Sequence, residues 1–534
     1  MAWLTGWSYR QKLTLDSSKV DSDCSDFPVK VVFDKDNFAF AHALETGNDI
    51  RFTSSDGETL LKYERELHQV GDTPTGYANA TYDTSFNGSD EFYSLPSAAN
   101  LHKPYQVLEV EFTADTVDGW HTIVNLEMAD RTNAAYSSLV KVRFARIEIY
   151  YGYLRGYFRC RTSGTSAIVT VTSAQTISAD TKYKARLVID NNTKQIWFYI
   201  NDVYQGTAIN PDISVWSDVT NYIWCDLGFA YDYHCTTSTS HSQYFDGTIH
   251  SYNLMAQNTL TSAVYHVKLP TASSTSDTEF YCYYGKADAT DGADPTNVWD
   301  SNYKMVLHMD SALEDSTAND NDGTNSGTAL GIARDGYYRS FDGSNDQITF
   351  SGLNLNGASQ ASIELYINTI GQTSDYPTIL GDYDDWDNAI GFRGGRTTSS
   401  DQRYICYWEN NNNANANVWI YDTDADFNTW YHVASHFNAG ASKALLDGEV
   451  IDTGSDGPAT LPTLSGSFVM GGPSGTTLPG YFNGHIAEAR ISTIARSDAW
   501  IKATHASLAD TLLTYGAEEA LTPTARPRVM VVWA

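Results

Sequence analysis

Hydrophobic and polar side chains alternate along many short segments of this chain. Residues 108–112 place Leu108, Val110 and Phe112 on one face of an extended segment and two glutamates on the other. Residues 182–189 and 363–367 repeat the alternation. A period of two is typical of a strand with one buried face, so these segments predict antiparallel sheets that are solvated on one side.

Turn residues separate the predicted strands. The segment 190–192 (DNN) joins two alternating runs, and Asp447-Gly448 forms a second tight-turn signal, so both predict β-hairpins. The sequence predicts one short helix, over residues 497–506, where Ser497 can cap the first turn of DAWIKATHA. The rest of the chain is expected to be strand or loop.

Composition and length agree with an all-β, multidomain protein. The 534 residues include 13% aromatic side chains together with 38 Gly and 14 Pro. Aromatic residues favour strands, and a chain of this length needs several hydrophobic cores. We therefore expect three or four folding units built as β-sandwiches or barrels.

An internal repeat supports this organisation. Residues 244–254 read YFDGTIHSYNL and residues 481–491 read YFNGHIAEARI. Each closes a strand-rich block, and a hairpin precedes each (residues 198–206 and 444–452). The sequence thus predicts two copies of one module. Convergence of ordinary strand and turn patterns is the alternative.

The second copy resembles the laminin-G-like, concanavalin A-like jelly rolls. The resemblance is carried by HMDSALEDSTANDNDGTNSG at 308–327, RSFDGSNDQITF at 339–350, WYHVASHF at 430–437 and the closing strand FNGHIAEARIS. It implies an antiparallel jelly-roll sandwich over 305–516. The first copy, 75–258, keeps the hairpin and the closing strand and lacks the opening motif.

The remaining segments resemble a domain family of unknown function that accompanies such jelly rolls in phage and bacterial surface proteins. Its opening is GWSYRQKLTLD followed by NDIRFTSSDGETLLKYERE at 48–66, and its closing half is 263–290 with the YYG motif. This implies a small β-domain, 1–72 with 259–304, split by insertion of the first jelly roll. Residues 281–284 should then pair with the first 66 residues.

The charge restricts the partners. The net charge of −31 and the sequence pI near 4.6 disfavour binding to nucleic acid or to anionic membranes. The sequence contains no run of about 20 apolar residues, so membrane insertion is not expected. The N-terminus lacks the pattern of a secretion signal. The six cysteines show no zinc-binding spacing and are expected to be buried free thiols, although Cys225 and Cys235 could form a bridge.

Two groups of residues are candidate binding sites. By resemblance, the opening loop and FDG turn of the second jelly roll imply calcium ligands at Asp310, Asp315 and Asp342. Ordinary turn formation is the alternative for these aspartates. The segments 381–392 and 406–419 combine aromatic rings with carboxylates and amides, as sugar sites do. We expect carbohydrate contacts from Tyr383, Asp384, Trp386, Asp387, Trp408 and Asn410, with the sandwich core as the alternative for both tryptophans.

No catalytic motif is visible. Retaining glycanases need two carboxylates about 5 Å apart, and neither Glu109 with Glu111 nor Glu488 has the expected E-x-D-x-E context. A nucleophile elbow, a phosphate loop and HExxH are also absent from the sequence. We therefore expect a protein that is not an enzyme.

The tail, 517–534, ends in the apolar run VMVVW, which would aggregate unless paired. It predicts a strand added to a neighbouring subunit, and hence a homo-oligomer, or to another virion protein. A last strand in the chain's own small domain is the alternative. The resemblance and the missing signal together predict a virion-associated adhesin on a phage capsid or tail that binds host-surface or environmental glycans. An extracellular or cell-surface location, a structural spacer and a glycan depolymerase are the alternatives.

Overall fold

The structure is a computed structural model, and it describes most of the chain. The described residues are 3–71, 75–87, 93–95, 105–130, 141–162, 165–190, 195–201, 203–209, 222–227, 229–231, 242–257, 261–371, 375–384, 388–394, 403–410, 414–421, 425–427, 429–473 and 480–521. They divide into two compact units, Met1–Gln69 with Ser262–Ala534, and Val70–Thr261.

The chain is nearly all β, with 57% strand and 5% helix, which confirms the predicted fold class. The first unit opens with four strands, namely β1 (Tyr9–Leu15), β2 (Cys24–Asp34), β3 (Arg51–Ser54) and β4 (Tyr63–Gln69). The second unit contains β5 (Thr75–Asn87), β6 (Tyr93–Leu95), β7 (Tyr105–Ala114), β8 (Trp120–Asp130), β9 (Lys141–Tyr150), β10 (Tyr153–Thr162), β11 (Thr165–Thr176), β12 (Lys182–Asp190), β13 (Gln195–Ile200), β14 (Val203–Ile209), β15 (Tyr222–Leu227), β16 (Phe229–Tyr231), β17 (Ser242–Tyr244) and β18 (Asp246–Gln257).

The first unit then resumes with nineteen further strands and one α-helix. These are β19 (Ser262–Ala272), β20 (Thr278–Tyr284), β21 (Tyr303–Leu307), β22 (Gly323–Ser326), β23 (Ala329–Ala333), β24 (Gly336–Asp342), β25 (Gln347–Phe350), β26 (Gln360–Gly371), β27 (Thr378–Tyr383), β28 (Asn388–Gly394), β29 (Tyr404–Asn410), β30 (Ala414–Asn415), β31 (Val418–Ile420), β32 (Trp430–Asn438), β33 (Ala441–Leu446), β34 (Glu449–Gly454), β35 (Val469–Met470), β36 (Asn483–Ser492), α1 (Asp498–Leu508) and β37 (Leu513–Ala520).

Two small sheets bring together distant parts of the first unit. Their strand orders are β3-β20-β1-β37 and β2-β19-β4. The N-terminal strand β1 pairs with β20, so Tyr9 lies opposite Tyr284, and it pairs on its other side with β37. The predicted pairing of residues 281–284 with the first 66 residues is therefore confirmed.

The start of the C-terminal tail joins this same sheet. Tyr9 and Arg10 of β1 lie opposite Ala520 and Glu519 of β37. Of the two alternatives for the tail, its described part thus takes the strand within the chain's own small domain. Residues 522–534, which include VMVVW, lie outside the described residues.

Six strands of each sheet follow the same order in the two predicted modules, and each sheet of the first unit has two further strands, among them β21 beside β36 and β31 beside β29. In the second unit the sheets are β14-β13-β12-β7-β18-β5 and β11-β10-β9-β8-β15-β6. In the first unit they are β34-β33-β32-β26-β36-β24-β23 and β30-β29-β28-β27-β35-β25-β22. Each strand in the two sheets of the second unit has a counterpart in the sheets of the first unit. This correspondence is what the sequence repeat looks like in the structure.

Each repeated YF-D/N-G motif packs a phenylalanine across a close backbone contact. Phe245 and Phe482 are both buried, and the glycine two residues later leaves no room for a side chain. A Cβ on Gly484 would clash with the Asn368 carbonyl oxygen and lie 2.6 Å from the Phe482 ring. The motif therefore places β36 tightly against β26.

Smaller sequence predictions also hold. Helix α1 begins after Ser497, whose side chain accepts a hydrogen bond from the Trp500 backbone N–H. Asp447 and Gly448 both have positive φ in the hairpin turn between β33 and β34. Cys24, Cys282 and Cys406 are buried free thiols, whereas Cys235 lies outside the described residues.

Within the described part of the chain, no helix is long and apolar enough to cross a bilayer.

Replacing Gly484 by alanine should destabilise the protein by about 1–3 kcal/mol, because the added methyl group overpacks the contact between β36 and β26. The measurement is the denaturant midpoint of the full chain. Gly371→Ala is the matched control, since a Cβ there meets no atom within 4 Å. Equal midpoints for the two variants would contradict this account of the motif.

Stability should also depend on the charge of His505 in α1. Burial lowers the pKa of His505 from 6.5 to about 3. Because the folded state disfavours the proton, this contribution to stability is complete above about pH 6.5 and is lost as the pH falls toward the folded pKa. In His505→Gln, the unfolding free energy should fall less between these pH values than in the parent chain. Parallel pH profiles would disprove the prediction.

Candidate functional site

The outer face of one sheet of the second unit combines polar and aromatic side chains. Core residues of β8, β9 and β10, such as Ile123, Ile147 and Phe158, point inward. The intervening residues point outward and align across the three strands. They form three cross-strand rows, which are Trp120–Tyr150–Tyr153, Thr122–Glu148–Arg155 and Asn125–Arg146–Tyr157. We call this surface the β8–β10 face.

The first row is an exposed aromatic corner. Trp120 is 39% exposed and Tyr153 38%, and Tyr151 in the adjoining turn is 65% exposed. Tyr151 and Gly152 both have positive φ in a tight turn, and the Tyr151 ring meets the Tyr150 ring edge to face with centroids 4.9 Å apart. The Trp120 and Tyr150 rings meet edge to face with centroids 5.8 Å apart. Several flat apolar surfaces therefore meet solvent at one corner.

The second row fixes this corner through a buried carboxylate. Glu148 is fully buried, and its oxygens accept hydrogen bonds from Trp120 Nε1 at 2.7 Å and Arg155 Nε at 2.6 Å. The Arg155 guanidinium also lies 4.0 Å from the centroid of the Tyr150 ring. A buried charge needs such compensation. The ion pair of Glu148 and Arg155 therefore orients the Trp120 indole and the Tyr150 ring.

The third row is buried. Asn125 is 1% exposed, and its Oδ1 accepts a hydrogen bond from Arg146 Nε at 2.8 Å. Its Nδ2 has no hydrogen-bond partner within the described residues. Because this nitrogen has no exposed surface, the third row supports the sheet and does not itself contact a ligand.

The corresponding sheet of the first unit has a similar outer face. The Arg393 guanidinium lies 3.9 Å from the Tyr383 ring centroid and 5.5 Å from that of Tyr407. Trp419 packs at the edge of this cluster. Burial raises the pKa of Tyr407 to about 12. Arginine and tyrosine thus occupy the same side of the sandwich in both modules, but the second cluster is more deeply buried.

The structure separates the residues that were predicted to bind sugar. Tyr383 lies on the outer face but is 1% exposed. Trp408 lies on the opposite, inward face, where its Nε1 donates to Ser435 Oγ at 2.8 Å and its ring stacks on Phe437. Because Trp408 has no exposed surface, a sugar ring cannot stack on it. The core alternative is therefore the correct one for Trp408.

The polar members of the predicted sugar site bond within the protein. Asp384 accepts hydrogen bonds from the backbone N–H and the hydroxyl of Ser465. Asn410 donates to the Thr460 carbonyl oxygen at 3.3 Å. Trp386 and Asp387 lie outside the described residues, so their roles stay predictions.

An acidic cleft of about 460 Å³ opens elsewhere in the first unit. Its walls come from β4, from the segment around Pro295 and from the loop after β21. Carboxylates dominate the lining, which includes Glu64, Glu66, Asp310, Glu314, Asp315, Asp320 and Asp322. Its charge suits a cation better than a carbohydrate.

Two of the three predicted calcium ligands, Asp310 and Asp315, line the cleft. The Asp315 oxygens accept four hydrogen bonds, from the N–H groups of residues 306, 317 and 321 and from the Thr317 hydroxyl. Asp342 is not among the lining residues and accepts bonds from Ser344 and Asn345 in its own turn. Calcium binding by these aspartates stays a prediction.

A buried histidine and glutamate cluster lies at the inner end of the cleft. His308 Nδ1 is 2.7 Å from Glu488 Oε2 and 3.9 Å from Glu66 Oε2, while its Nε2 is 3.3 Å from Glu64 Oε2. His266 Nε2 lies 2.9 Å from Glu66 Oε2, and the two imidazole rings stack with centroids 4.2 Å apart. These five residues are called the His–Glu cluster.

Attraction between opposite charges sets the protonation of this cluster. Burial acts to lower the pKa of His308, but Glu488 and Glu64 outweigh it and hold that pKa well above its ordinary value. Burial and the nearby His308 charge keep the pKa of His266 well below its ordinary value. His308 is therefore the imidazole that carries a proton in the absence of another cation.

The sequence alone does not predict this cluster. Glu64 and Glu66 alternate within YERE of β4, whereas His266, His308 and Glu488 come from segments far apart in the chain. The local sign of the cluster is that these two glutamates lie on the same face of one strand. Only the pairing of β4 with β19 and of β21 with β36 brings the other three residues to the same place.

Comparison with protein families gives one match. Residues 342–502 match the family described as the concanavalin A-like lectin/glucanases superfamily. Residues 342–502 form a concanavalin A-like domain. The resemblance that the sequence carries to such jelly rolls is confirmed for these residues, whereas the match does not extend to the small split domain.

A comparison with curated proteins found no match. Solved structures with some similarity include domain 4 of AbnA, an arabinanase from Geobacillus stearothermophilus in complex with arabinotriose (19% identity, 38% of this chain and 97% of that chain, TM-score 0.31). Others are the CBM40 of a Ruminococcus gnavus IT-sialidase bound to α2,3-sialyllactose (12%, 34% and 91%, TM-score 0.25) and domains LG4-5 of the mouse laminin α1 chain (12%, 80% and 95%, TM-score 0.24). At these TM-scores the similarities decide nothing about function.

Removing the Trp408 ring from the core of the concanavalin A-like domain should destabilise the protein. Trp408→Ala leaves a cavity and an unpaired Ser435 hydroxyl, so we expect a loss of about 3–5 kcal/mol in the free energy of unfolding. Chemical denaturation of the full chain measures it. A stability equal to that of the parent chain would show that the ring is not a core element.

Proposed function

We propose that the protein is a non-catalytic glycan-binding protein and that the β8–β10 face is its principal binding surface. The observation that carries the proposal is the exposed aromatic corner of Trp120, Tyr151 and Tyr153, in which the buried Glu148 carboxylate orients the Trp120 ring. Aromatic rings stack on the apolar CH faces of a pyranose, and tyrosine hydroxyl groups can hydrogen-bond to its hydroxyl groups.

The arrangement favours binding over hydrolysis. A retaining glycanase needs a pair of carboxylates about 5 Å apart, one of them free to act as a nucleophile. Both oxygens of Glu148 instead accept hydrogen bonds, from Trp120 and Arg155. A carboxylate held in this way orients its neighbours and is poorly placed to attack a sugar.

The concanavalin A-like domain at residues 342–502 supports the same class of function, because its family includes lectins by description. Its own outer face, around Arg393 and Tyr407, is more buried than the β8–β10 face. We therefore assign the stronger site to the second unit and a supporting site to this domain. Several weak sites in one particle would add through multivalency.

We further propose that the protein belongs to a virion, where it acts as an adhesin on a capsid or tail and occurs in several copies. This location rests on the residue-level resemblance to domain combinations of phage and bacterial surface proteins. Mass spectrometry of purified particles, followed by imaging with an antibody against the chain, tests the location. Absence of the chain from the particles would refute it.

Trp120→Ala and Tyr151→Ala should each weaken glycan binding by about 2- to 10-fold, since one stacked ring contributes about 0.5–1.5 kcal/mol. A glycan array with the full chain identifies the ligand, and titration calorimetry then compares the variants. Because Tyr151 is 65% exposed, Tyr151→Ala should leave the melting temperature unchanged, whereas Trp120→Ala also removes a hydrogen bond from the buried Glu148 carboxylate and should lower it.

Val203→Ala is the matched control, because Val203 is 62% exposed on a strand of the opposite sheet. Its binding should equal that of the parent chain. If all three variants bound the glycan as tightly as the parent chain does, the β8–β10 face would not be the binding site. No binding to any glycan would favour a structural spacer, and release of reducing ends from a polysaccharide would favour a depolymerase.

A further inference from the structure

We infer that the His–Glu cluster is a binding site for a divalent transition-metal ion such as Zn²⁺, with Glu66, His266 and His308 as ligands. One ligand atom from each of these residues lies within 4.8 Å of the others. A tetrahedral ion with ligand bonds of about 2.0–2.2 Å needs donor atoms about 3.3–3.6 Å apart, so small side-chain shifts would bring these three atoms around one ion. Imidazole nitrogen and carboxylate oxygen are donors that Zn²⁺ accepts.

The atoms that would not touch the ion hold the ligands in place. Glu64 Oε2 lies 3.3 Å from His308 Nε2, so the Nε2–H can donate to it and leave Nδ1, which lies between Glu488 Oε2 at 2.7 Å and Glu66 Oε2 at 3.9 Å, to bind the ion. Glu64 itself is fixed by the Trp299 indole N–H at 2.7 Å and by the Ser316 hydroxyl at 2.5 Å. A carboxylate that orients the far nitrogen of a histidine is a common support of metal sites.

The other two ligands are also positioned. Glu66 accepts the backbone N–H of Tyr337 with Oε1 at 3.1 Å, which turns Oε2 toward the histidines. His266 is fully buried on β19, and its Nε2 faces that oxygen at 2.9 Å. Glu488, 2.7 Å from His308 Nδ1, is close enough to become a fourth ligand or to accept a proton.

The charges of the cluster favour a dication. The groups in direct contact include three carboxylates, Glu64, Glu66 and Glu488, and one guanidinium, that of Arg490, which donates to Glu488 at 2.7 Å. Lys30 adds a second positive charge near Glu66. Three carboxylates against two permanent cations attract a dication to this buried site.

The acidic cleft supplies a route for the ion. Glu66 and His308 both belong to the cleft lining, so two of the three ligands are reached from solvent. Asp310, Asp320 and Asp322 at the cleft lower the electrostatic cost of bringing a cation to its inner end. Binding would release the proton of His308, as metal binding to histidine does.

The test uses the full chain after treatment with a chelator. Zn²⁺ and Co²⁺ are added separately, and metal retained after gel filtration is counted by mass spectrometry. We expect one equivalent of either ion, visible ligand-field absorption for Co²⁺ and paramagnetically shifted imidazole proton resonances. Calorimetry with Ca²⁺ should show no competition with Zn²⁺ for the site.

Variants locate the ion. Glu66→Gln and His266→Gln should lose the retained equivalent, and Glu64→Gln should weaken affinity by about 10- to 100-fold through the orientation of His308. The matched control is His436→Gln, which removes a different largely buried histidine, one that bonds to Asp498 at 3.0 Å, and should leave binding unchanged. Circular dichroism establishes that each variant is folded.

Several results would overturn the inference. One is the absence of a stoichiometric ion in the parent chain. Another is retention of the ion in both Glu66→Gln and His266→Gln, which would place it at the cleft carboxylates. If those variants fail to fold, the Co²⁺ spectra of the parent chain decide, since a site without imidazole ligands shows no shifted imidazole protons. None of these outcomes depends on glycan binding.

Discussion

The fold depends on the pairing of strand β1 with two strands that are distant in sequence. Tyr9–Leu15 lies between Thr278–Tyr284 and Leu513–Ala520. This sheet can therefore form only when the chain has returned twice from distant segments to the same place. Loop-closure cost grows slowly with length, so a long connecting segment adds little to that cost when the segment is itself folded and its ends lie close together.

The two sheets of each module differ in what their side chains do. One sheet of each module contains the closing strand, held by a phenylalanine and a glycine that permit close backbone contact. The other sheet carries arginine and tyrosine on its outward side, and in the second unit it presents Trp120 and Tyr151 to solvent. We therefore propose that the sheet with the closing strand stabilises each module and that the other sheet binds the ligand.

The sequence predicted the architecture well because that information is local. Period-two alternation, the Asp447-Gly448 turn, the Ser497 cap and the repeated closing motif each act over a few residues. The site was harder to predict. Whether Trp408 points inward depends on which side of β29 faces the core, and a strand buried on both faces does not reveal that. The His–Glu cluster requires long-range register, which no local pattern encodes.

The central claim is that a ligand binds the outer face of strands β8 to β10, and hydrogen–deuterium exchange tests it most directly. The full chain is compared with and without a saturating oligosaccharide selected on a glycan array. The account predicts added protection in Trp120–Asp130, Lys141–Tyr150 and Tyr153–Thr162, with little change in Lys182–Asp190 on the opposite sheet. Protection confined to the opposite sheet, or no change under saturation, would contradict it.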